Sequence, residues 1–357
     1  MNHIKPLRDF LYEQVSEEPY QTVCFYHTGD PARDFANNDY IEMINVMREN
    51  NPDIIFMDYF GTYISYDGDD TYLNYLKIDQ DTMKYIPPSV KKGVLNYSKP
   101  LKISKENTLI LYRDLAIKGR IHWKDMIKRL GIEGFYLLNS IECYDICGSK
   151  HITDVYLKQN NIKTPKTVRI LHSEDTERAF NHLDTKFPVI LKMSVGSQTG
   201  VGVVLIDNMR TLHATVQMAL LVDKQLPLLL QEYIEIDYDI RAIVLGNEVI
   251  ASMKRKVIKG TDFRSNVSLG AEAEAIELTD LEKEIAVKSS NAVKGKLTGV
   301  DMFASSNRET EEPFVLEVNA NPGFVGIEKV VPTTTQRIFD HFKDRNNWTW
   351  LQQHKVI

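Results

Sequence analysis

Between two short apolar runs, Phe187-Pro188-Val189-Ile190-Leu191-Lys192-Met193 and Val203-Val204-Leu205-Ile206, lies Val195-Gly196-Ser197-Gln198-Thr199-Gly200-Val201-Gly202. Each flanking run has the length and β-branched content of a buried strand. A strand–loop–strand order makes the glycine segment the tip of a hairpin flap. That excludes the glycine-rich turn of a dinucleotide-binding fold, which runs from a strand into a helix. Gly196, Gly200 and Gly202 leave backbone N–H groups clear of side-chain cover, while Ser197 and Thr199 add hydroxyl donors. Such a loop can approach phosphate oxygens; a plain glycine-rich hairpin is the alternative with the same composition. Lys192 shifts the balance. It lies inside an apolar run, where a charge is costly without a partner, and it ends the strand that enters the loop.

The last third of the chain supplies acids. Leu228 to Ile234, Asp239 to Leu245 and Glu248 to Met253 read as strands, the last two joined by the turn Gly246-Asn247. Thr279 to Glu282 has the spacing of a capping box and predicts a helix through about Lys294. Then come Gly299-Val300-Asp301-Met302-Phe303 and Phe314 to Gly323. Glu317 and Asn319 stand two apart on a predicted strand, so they share a face, and Asp301 on a neighbouring strand can converge with them. Three oxygen donors suit a hard cation such as Mg²⁺. The alternative is an edge strand with one wet face, but Val315, Leu316 and Val318 point to a buried strand, where a lone Glu317 would be costly.

The first third alternates strands at Thr22–Tyr26, Asp53–Met57 and Asn107–Leu111 with a helical stretch at Tyr40–Arg48, the rhythm of a parallel α/β unit. Tyr63 to Ser98 has no assignable pattern, Tyr136 to Ser140 reads as a linker, and Asp145 to Asn160 reads as one helix carrying Lys150. At 357 residues the chain is long enough for two or three packed units. A net charge of −6 lacks the basic footprint of a nucleic-acid binder. Three cysteines fit a reducing compartment better than a disulfide framework. The N-terminal residues lack a signal-peptide apolar core, and no run is long enough to span a bilayer, so the expected home is the cytoplasm.

From about Asn139 to Val330 the chain resembles the RimK-type branch of the ATP-grasp ligases. The matching segments are Pro188–Lys192, the glycine loop, Gln231–Ile234, Asp239–Arg241, Asp262–Asn266, Gly299–Asp301, Leu316–Gly323 and Gly326–Lys329, in the family's order. The resemblance implies a mixed α+β and α/β protein: an ATP-grasp fold whose two α+β subdomains sandwich ATP, preceded by an N-terminal α/β unit. Expected boundaries are 1–138, 139–228 and 229–357. It further implies that Lys150 and Lys192 contact ATP phosphates beneath the loop from Gly196 to Gly202. Gln231, Glu232, Tyr233 and Ile234 would form the adenine-side hinge, with Asp239 near the ribose. Arg264, Ser265 and Asn266 would border the γ-phosphate and acyl group, while Arg241 and Arg255 meet the carboxylate substrate or the acyl phosphate. Asp301, Glu317 and Asn319 would hold Mg²⁺, with Mn²⁺ as a substitute.

The implied activity is ADP-forming ligation of a carboxylate-bearing acceptor to an amino acid or other amine. Family members often form dimers or tetramers, and neither nucleic acid nor membrane is an expected partner. Two departures bear on this. Thr199 lengthens the glycine loop by one residue, and Val267-Ser268-Leu269-Gly270 stands where glutamate-adding members usually carry a His-Arg pair, which weakens the case for glutamate as the added amino acid. Two rival readings are an ATP-grasp phosphotransferase acting on a hydroxyl and a non-catalytic ATP-binding module.

Overall fold

The structure is a computed structural model that describes residues 20–26, 38–77, 96–113, 121–193, 202–224, 226–257 and 273–348. The glycine loop from Val195 to Val201 and the Arg264-Ser265-Asn266 segment lie outside the described residues.

The N-terminal part comprises β1 (Gln21–Tyr26), α1 (Asn38–Asn50), β2 (Ile55–Asp58), β3 (Thr62–Asp67), β4 (Asp70–Tyr75), β5 (Leu101–Ile103), β6 (Thr108–Tyr112), α2 (Ile121–Ile132) and β7 (Tyr136–Leu138). Four of these strands form a parallel sheet in the order β2-β1-β6-β7. Val23, Cys24, Phe25, Leu109 and Ile110 are each 0% exposed, the continuous burial expected where both faces of a parallel sheet are covered. The unassigned stretch after Tyr63 contributes β3 and β4, which with β5 build a separate antiparallel sheet.

The expected linker at Tyr136–Ser140 is instead strand β7 followed by a buried joint. Asn139 donates through Nδ2 to the carbonyls of Leu297 and Ala320, and its Oδ1 accepts from the backbone N–H groups of Lys296 and Leu297. The Asn139 carbonyl also accepts from the Tyr112 hydroxyl. A buried amide satisfied on every side fixes the N-terminal sheet against the C-terminal one.

The central part contains α3 (Ile141–Cys147), α4 (Lys150–Gln159), β8 (Thr167–Ile170), α5 (Thr176–Leu183), β9 (Val189–Met193), β10 (Val203–Ile206), α6 (Met209–Val222) and β11 (Leu228–Glu232). The single helix expected over Asp145–Asn160 is two helices. The first ends at Gly148, and the Ser149 hydroxyl caps the second by accepting from the Ile152 N–H. The break places Lys150 in the first turn of α4. Antiparallel pairing of β9 with β10 makes the hairpin read from the sequence, in a sheet ordered β10-β9-β11-β8. Helices α5 and α6 cover one face through Ala179, Leu183, Leu212 and Val216, packed against Leu191 and Leu230. Gly202, where the chain re-enters the sheet, has φ +82°, and a Cβ there would lie 2.1 Å from the Met193 Cε. Only glycine fits that corner.

The C-terminal part holds β12 (Tyr238–Leu245), β13 (Glu248–Lys256), β14 (Ala273–Ala275), α7 (Asp280–Ala292), β15 (Leu297–Phe303), β16 (Phe314–Asn319), α8 (Val325–Val330) and α9 (Thr334–Lys343). An antiparallel sheet runs β14-β13-β12-β15-β16. The capping box at Thr279 and Glu282 is present on α7 in both directions. Two β-bulges, at Ile243/Val244 between β12 and β13 and at Asp301/Met302 between β15 and β16, shift the register by one residue. Both stand next to the charged row described below.

Candidate active site

A one-residue register shift moves a strand's side chains to the opposite face, so the two bulges decide which charges meet. The turn at Gly246-Asn247 sets Leu245 opposite Glu248; beyond the bulge Ile243 pairs with Ala251, and Asp239 comes opposite Arg255. On the far side Arg241 pairs with Asp301, and Asp301 pairs in turn with Glu317. Asp239 and Arg241, two apart on β12, share a face with Asp301, Gly299, Glu317 and Asn319. A charged row therefore crosses four strands, β13, β12, β15 and β16.

Within that row Arg241 grips Asp301 with both prongs, Nε–Oδ1 at 2.7 Å and Nη2–Oδ2 at 2.6 Å. Arg255, only 2% exposed, donates its Nε to Asp239 Oδ1 at 2.7 Å and lies 3.2 Å from Asp301 Oδ2. Burial pulls the Arg255 guanidinium down, and Asp301 and Asp239 more than reverse this, so it stays charged. Gly299 makes room for the arrangement: a Cβ there would sit 3.9 Å from the Arg241 Nε and 3.1 Å from the Pro322 Cβ.

Glu317 accepts from the Lys150 ammonium at 3.0 Å and from the Asn319 Nδ2 at 3.2 Å. Lys150 is the main reason that the Glu317 carboxyl lies well below the usual carboxylate range; burial opposes the shift, and Arg241 and Lys192 add to it. Glu317 in turn raises Lys150. Facing this pair, Lys192 on β9 is 7% exposed and donates to the Gln231 Oε1 at 2.9 Å. The Gln231 Nε2 donates to the Thr167 hydroxyl at 2.8 Å, which fixes the amide so that its oxygen faces the ammonium. Burial, reinforced by Lys150, pulls Lys192 down to about 8. Lys150, Lys192, Gln231, Asp154 and Leu316 line one cleft, where the central and C-terminal sheets face each other.

Of the residues expected to act together, Lys150, Lys192, Gln231, Arg241, Asp301, Glu317 and Asn319 are brought to this cleft or the charged row beside it. Two expectations change. Asp239, expected near the ribose, is 2% exposed and its carboxylate is given to Arg255. Arg255, expected to meet substrate, is a buried brace between two acids. Glu232 also serves the local structure, because its Oε1 accepts from the Lys166 N–H at 2.6 Å at the end of β11, beside the half-buried Tyr233 and Ile234. Sequence reasoning assigned no role to Asn139 or Arg113. For Arg113 the available signal is an arginine that directly follows the run Leu109-Ile110-Leu111-Tyr112.

Among the described residues no group of three or more His, Cys, Asp or Glu side chains gathers as a metal cluster. The candidate set is two carboxylates and one amide, Asp301, Glu317 and Asn319, on adjacent strands. These are hard oxygen donors of the kind Mg²⁺ takes when substrate phosphates and water complete its shell. Glu317 is ionised and already faces a cation, the Lys150 ammonium. Glu317 and Asn319 fit a divalent cation; Asp301 can complete the set only by releasing a guanidinium, because Arg241 holds both of its oxygens and Arg255 lies 3.2 Å from Oδ2. Among the described residues no helix is long and apolar enough to cross a membrane.

The fold and this cleft define an ATP-grasp protein. A solved ATP-grasp ligase, PsnB complexed with a minimal precursor, Mg and ADP, superposes with a TM-score of 0.58 at 16% identity, covering 89% of this chain and 96% of that one. In sequence the chain is 31% identical over 223 residues to a probable alpha-L-glutamate ligase of Coxiella burnetii (strain Dugway 5J108-111), covering 62% of this chain and 71% of that protein. It is 32% identical over 231 residues to the ribosomal protein bS6–L-glutamate ligase of Shigella boydii serotype 4 (strain Sb227), covering 59% and 74%. A family model, the RimK-like ATP-grasp domain, matches residues 149–338, more than half of the chain. The chain belongs to the RimK-like ATP-grasp family. It is an ATP-dependent, ADP-forming carboxylate–amine ligase, with ATP and Mg²⁺ as the cofactors of its class.

Proposed function

We propose that this ligase activates a carboxylate on a protein or peptide as an acyl phosphate and joins it to an amine, the central subdomain (139–228) and C-terminal subdomain (229–357) closing on ATP and the N-terminal unit (1–138) selecting substrate. The observation that carries the reading is that Lys150 and Lys192 line one cleft while Lys150 pairs with Glu317, whose charged row continues through Asp301 beside it. A carboxylate approaching a phosphoryl group brings two anions together, so cations must be set in advance where charge builds up. Lys150 and Lys192 bind phosphate oxygens, and Arg241, held in line by Asp301, faces the reacting oxygens. Glu317 and Asn319, with Asp301 once it releases a guanidinium, would hold Mg²⁺, which would offset phosphate charge as a Lewis acid. The strand end at Glu232, Tyr233 and Ile234 receives the adenine edge, and the glycine loop shields the acyl phosphate from water. A protein or peptide acceptor is favoured because the Shigella relative is named for a ribosomal protein and the PsnB structure contains a precursor peptide.

The test supplies Mg-ATP with pools of amino acids, peptides and proteins, following ADP and product mass together. Ligation predicts ADP release that depends on an amine, with a product heavier by the donor less one water, or lighter by one water when amine and carboxylate share a chain. ADP release without an amine, with a product heavier by one phosphoryl group, would instead establish a phosphotransferase.

Lys192 carries its own pH signature. Its folded value of about 8 lies below the ordinary 10.5, so between the two the unfolded chain holds a proton that the folded protein lacks. The lysine's contribution to stability therefore rises as pH climbs through that window. Phosphates placed beside the side chain favour the ammonium. Near pH 8 and above, Mg-ATP binding should take up a fraction of a proton, seen by calorimetry in buffers of different ionisation enthalpy. Lys192→Met should abolish that uptake; uptake that persists in the variant would remove Lys192 from the phosphate site.

A further inference from the structure

Arg113 stands directly after β6, at the carboxyl end of the parallel sheet, where open α/β sheets hold their ligands. Its backbone is clamped from two sides. The N–H donates to the Phe25 carbonyl and to the Tyr59 hydroxyl, both at 3.0 Å, and the same hydroxyl donates to the Arg113 carbonyl at 2.8 Å. Tyr59 is 1% exposed and stacks on Phe25. The residue is rigidly placed.

The residue is 9% exposed, and among the described residues its side chain meets two groups: Nη2 donates to the Pro322 carbonyl at 3.1 Å, and the guanidinium lies over the Phe324 ring, 5.2 Å from its centre. No carboxylate among the described residues pairs with it. A guanidinium has five N–H donors and no acceptor, and among the described residues only one of these is committed. A strut between N- and C-terminal parts needs a single donor, which a neutral side chain supplies without burying a charge. Arg255, the comparable buried arginine, has two carboxylates. What Arg113 lacks, among the described residues, is an anion.

The surroundings indicate which anion. Pro322 lies three residues past Asn319, and the Gly299 position separates it by one Cβ from the Arg241 Nε. Arg113 is thus tied through Pro322 to the chain that leaves β16, the strand carrying Glu317 and Asn319. At the adjoining Gly323 a Cβ would meet nothing within 4 Å among the described residues, which leave space beside the guanidinium's anchor. A single planar fork with an apolar floor matches a carboxylate, which it can take with two parallel N–H bonds.

We propose that Arg113 is a substrate-binding residue that holds a non-reacting carboxylate of the substrate, next to the one being activated. The proposal rests on the ligase reading, because it assigns the anion to a second acid on an acceptor peptide or to the α-carboxylate of an incoming amino acid. Arg113 then selects among substrates for one that carries this additional carboxylate.

The experiment uses the full chain with ¹⁵N-labelled arginine, the Arg113 Nε–Hε resonance being the one lost in Arg113→Lys. Acetate, L-glutamate and the blocked peptide acetyl-Ala-Glu-Ala-amide are titrated separately, with acetamide as the neutral control. Saturable shifts with acetate and none with acetamide are expected; a stronger response to L-glutamate or to the peptide identifies the source of the carboxylate. In uniformly ¹⁵N-labelled Arg113→Lys, acetate affinity, followed by backbone amide shifts of neighbouring residues, should weaken about tenfold while the thermal midpoint stays close to that of the parent. No saturable response to any of the three carboxylates overturns the proposal. So does loss of the acetate response on adding a non-hydrolysable Mg-triphosphate nucleotide, which would assign Arg113 to the nucleotide. Mg-ADP affinity is measured on the same samples: its absence refutes the ligase reading and leaves the acetate result to be judged separately.

Discussion

Glu317→Gln should reduce ADP release by about a hundred- to a thousandfold, the scale seen when one preorganised group is removed from a charged transition state. The reason is local. Glu317 is the acid on which Lys150, Asn319 and, through space, Arg241 and Lys192 converge. Glutamine keeps the shape of the side chain and can still accept from Lys150, so far-ultraviolet dichroism and the cooperative thermal transition should persist. It cannot offer a charged oxygen to a divalent cation. A pH series separates the role of the charge in stability from its role in turnover. The folded Glu317 lies below its ordinary 4.5, so its contribution to stability is complete above that value and is lost as pH falls below it. The glutamine variant should lose stability less steeply than the parent over that acid range. Full ADP production by the variant would refute the metal assignment.

The parts of the site that are legible in the sequence are those whose logic is local. Glu317 and Asn319 are two apart, and a strand's alternation alone puts them on one face. Lys192 stands out as a charge in an apolar run, and Thr279 with Glu282 carries its cap in plain view. What the sequence hides are pairings across strands. A two-residue turn at Gly246-Asn247 extended without interruption would set Asp239 opposite Lys254. The bulge at Ile243/Val244 moves it to Arg255, and nothing within either strand marks that bulge. The family resemblance puts Asp239 near the ribose, and its partner on the next strand stays hidden behind the bulge. The break between α3 and α4 is hidden because Cys143, Ile146, Thr153 and Leu157 are all buried, so the apolar pattern carries across Gly148 and Ser149. β7 is only three residues long, too short for alternation to register, and so it reads as linker. β3 and β4 are rich in Tyr, Thr and Asp, whose polar tips hide which face is inward.

Arg255→Met should destabilise the protein by about 3–5 kcal/mol, the range for removing one partner from a buried ion pair. Arg255, Asp239 and Asp301 have side chains 3–4% exposed, so water has little access to compensate for the loss. Arg241 remains on Asp301, whereas Asp239 loses both of the guanidinium bonds that Arg255 supplies while its carboxylate stays buried. The sign of the pH response follows. Removing one countercharge from a buried carboxylate raises its folded pKa relative to the parent's, so the variant's deficit grows as pH rises above the carboxylate's unfolded value and is absent below it. The deficit of Arg255→Met should therefore be largest near neutral pH and shrink toward acid pH, and adding Asp239→Asn should recover part of it at neutral pH. Thermal and denaturant midpoints across pH, taken without nucleotide, check this. If Arg255→Met instead keeps its midpoint and loses only turnover, then the guanidinium meets the substrate directly, and the brace is the wrong description of what the bulge at Ile243/Val244 achieves.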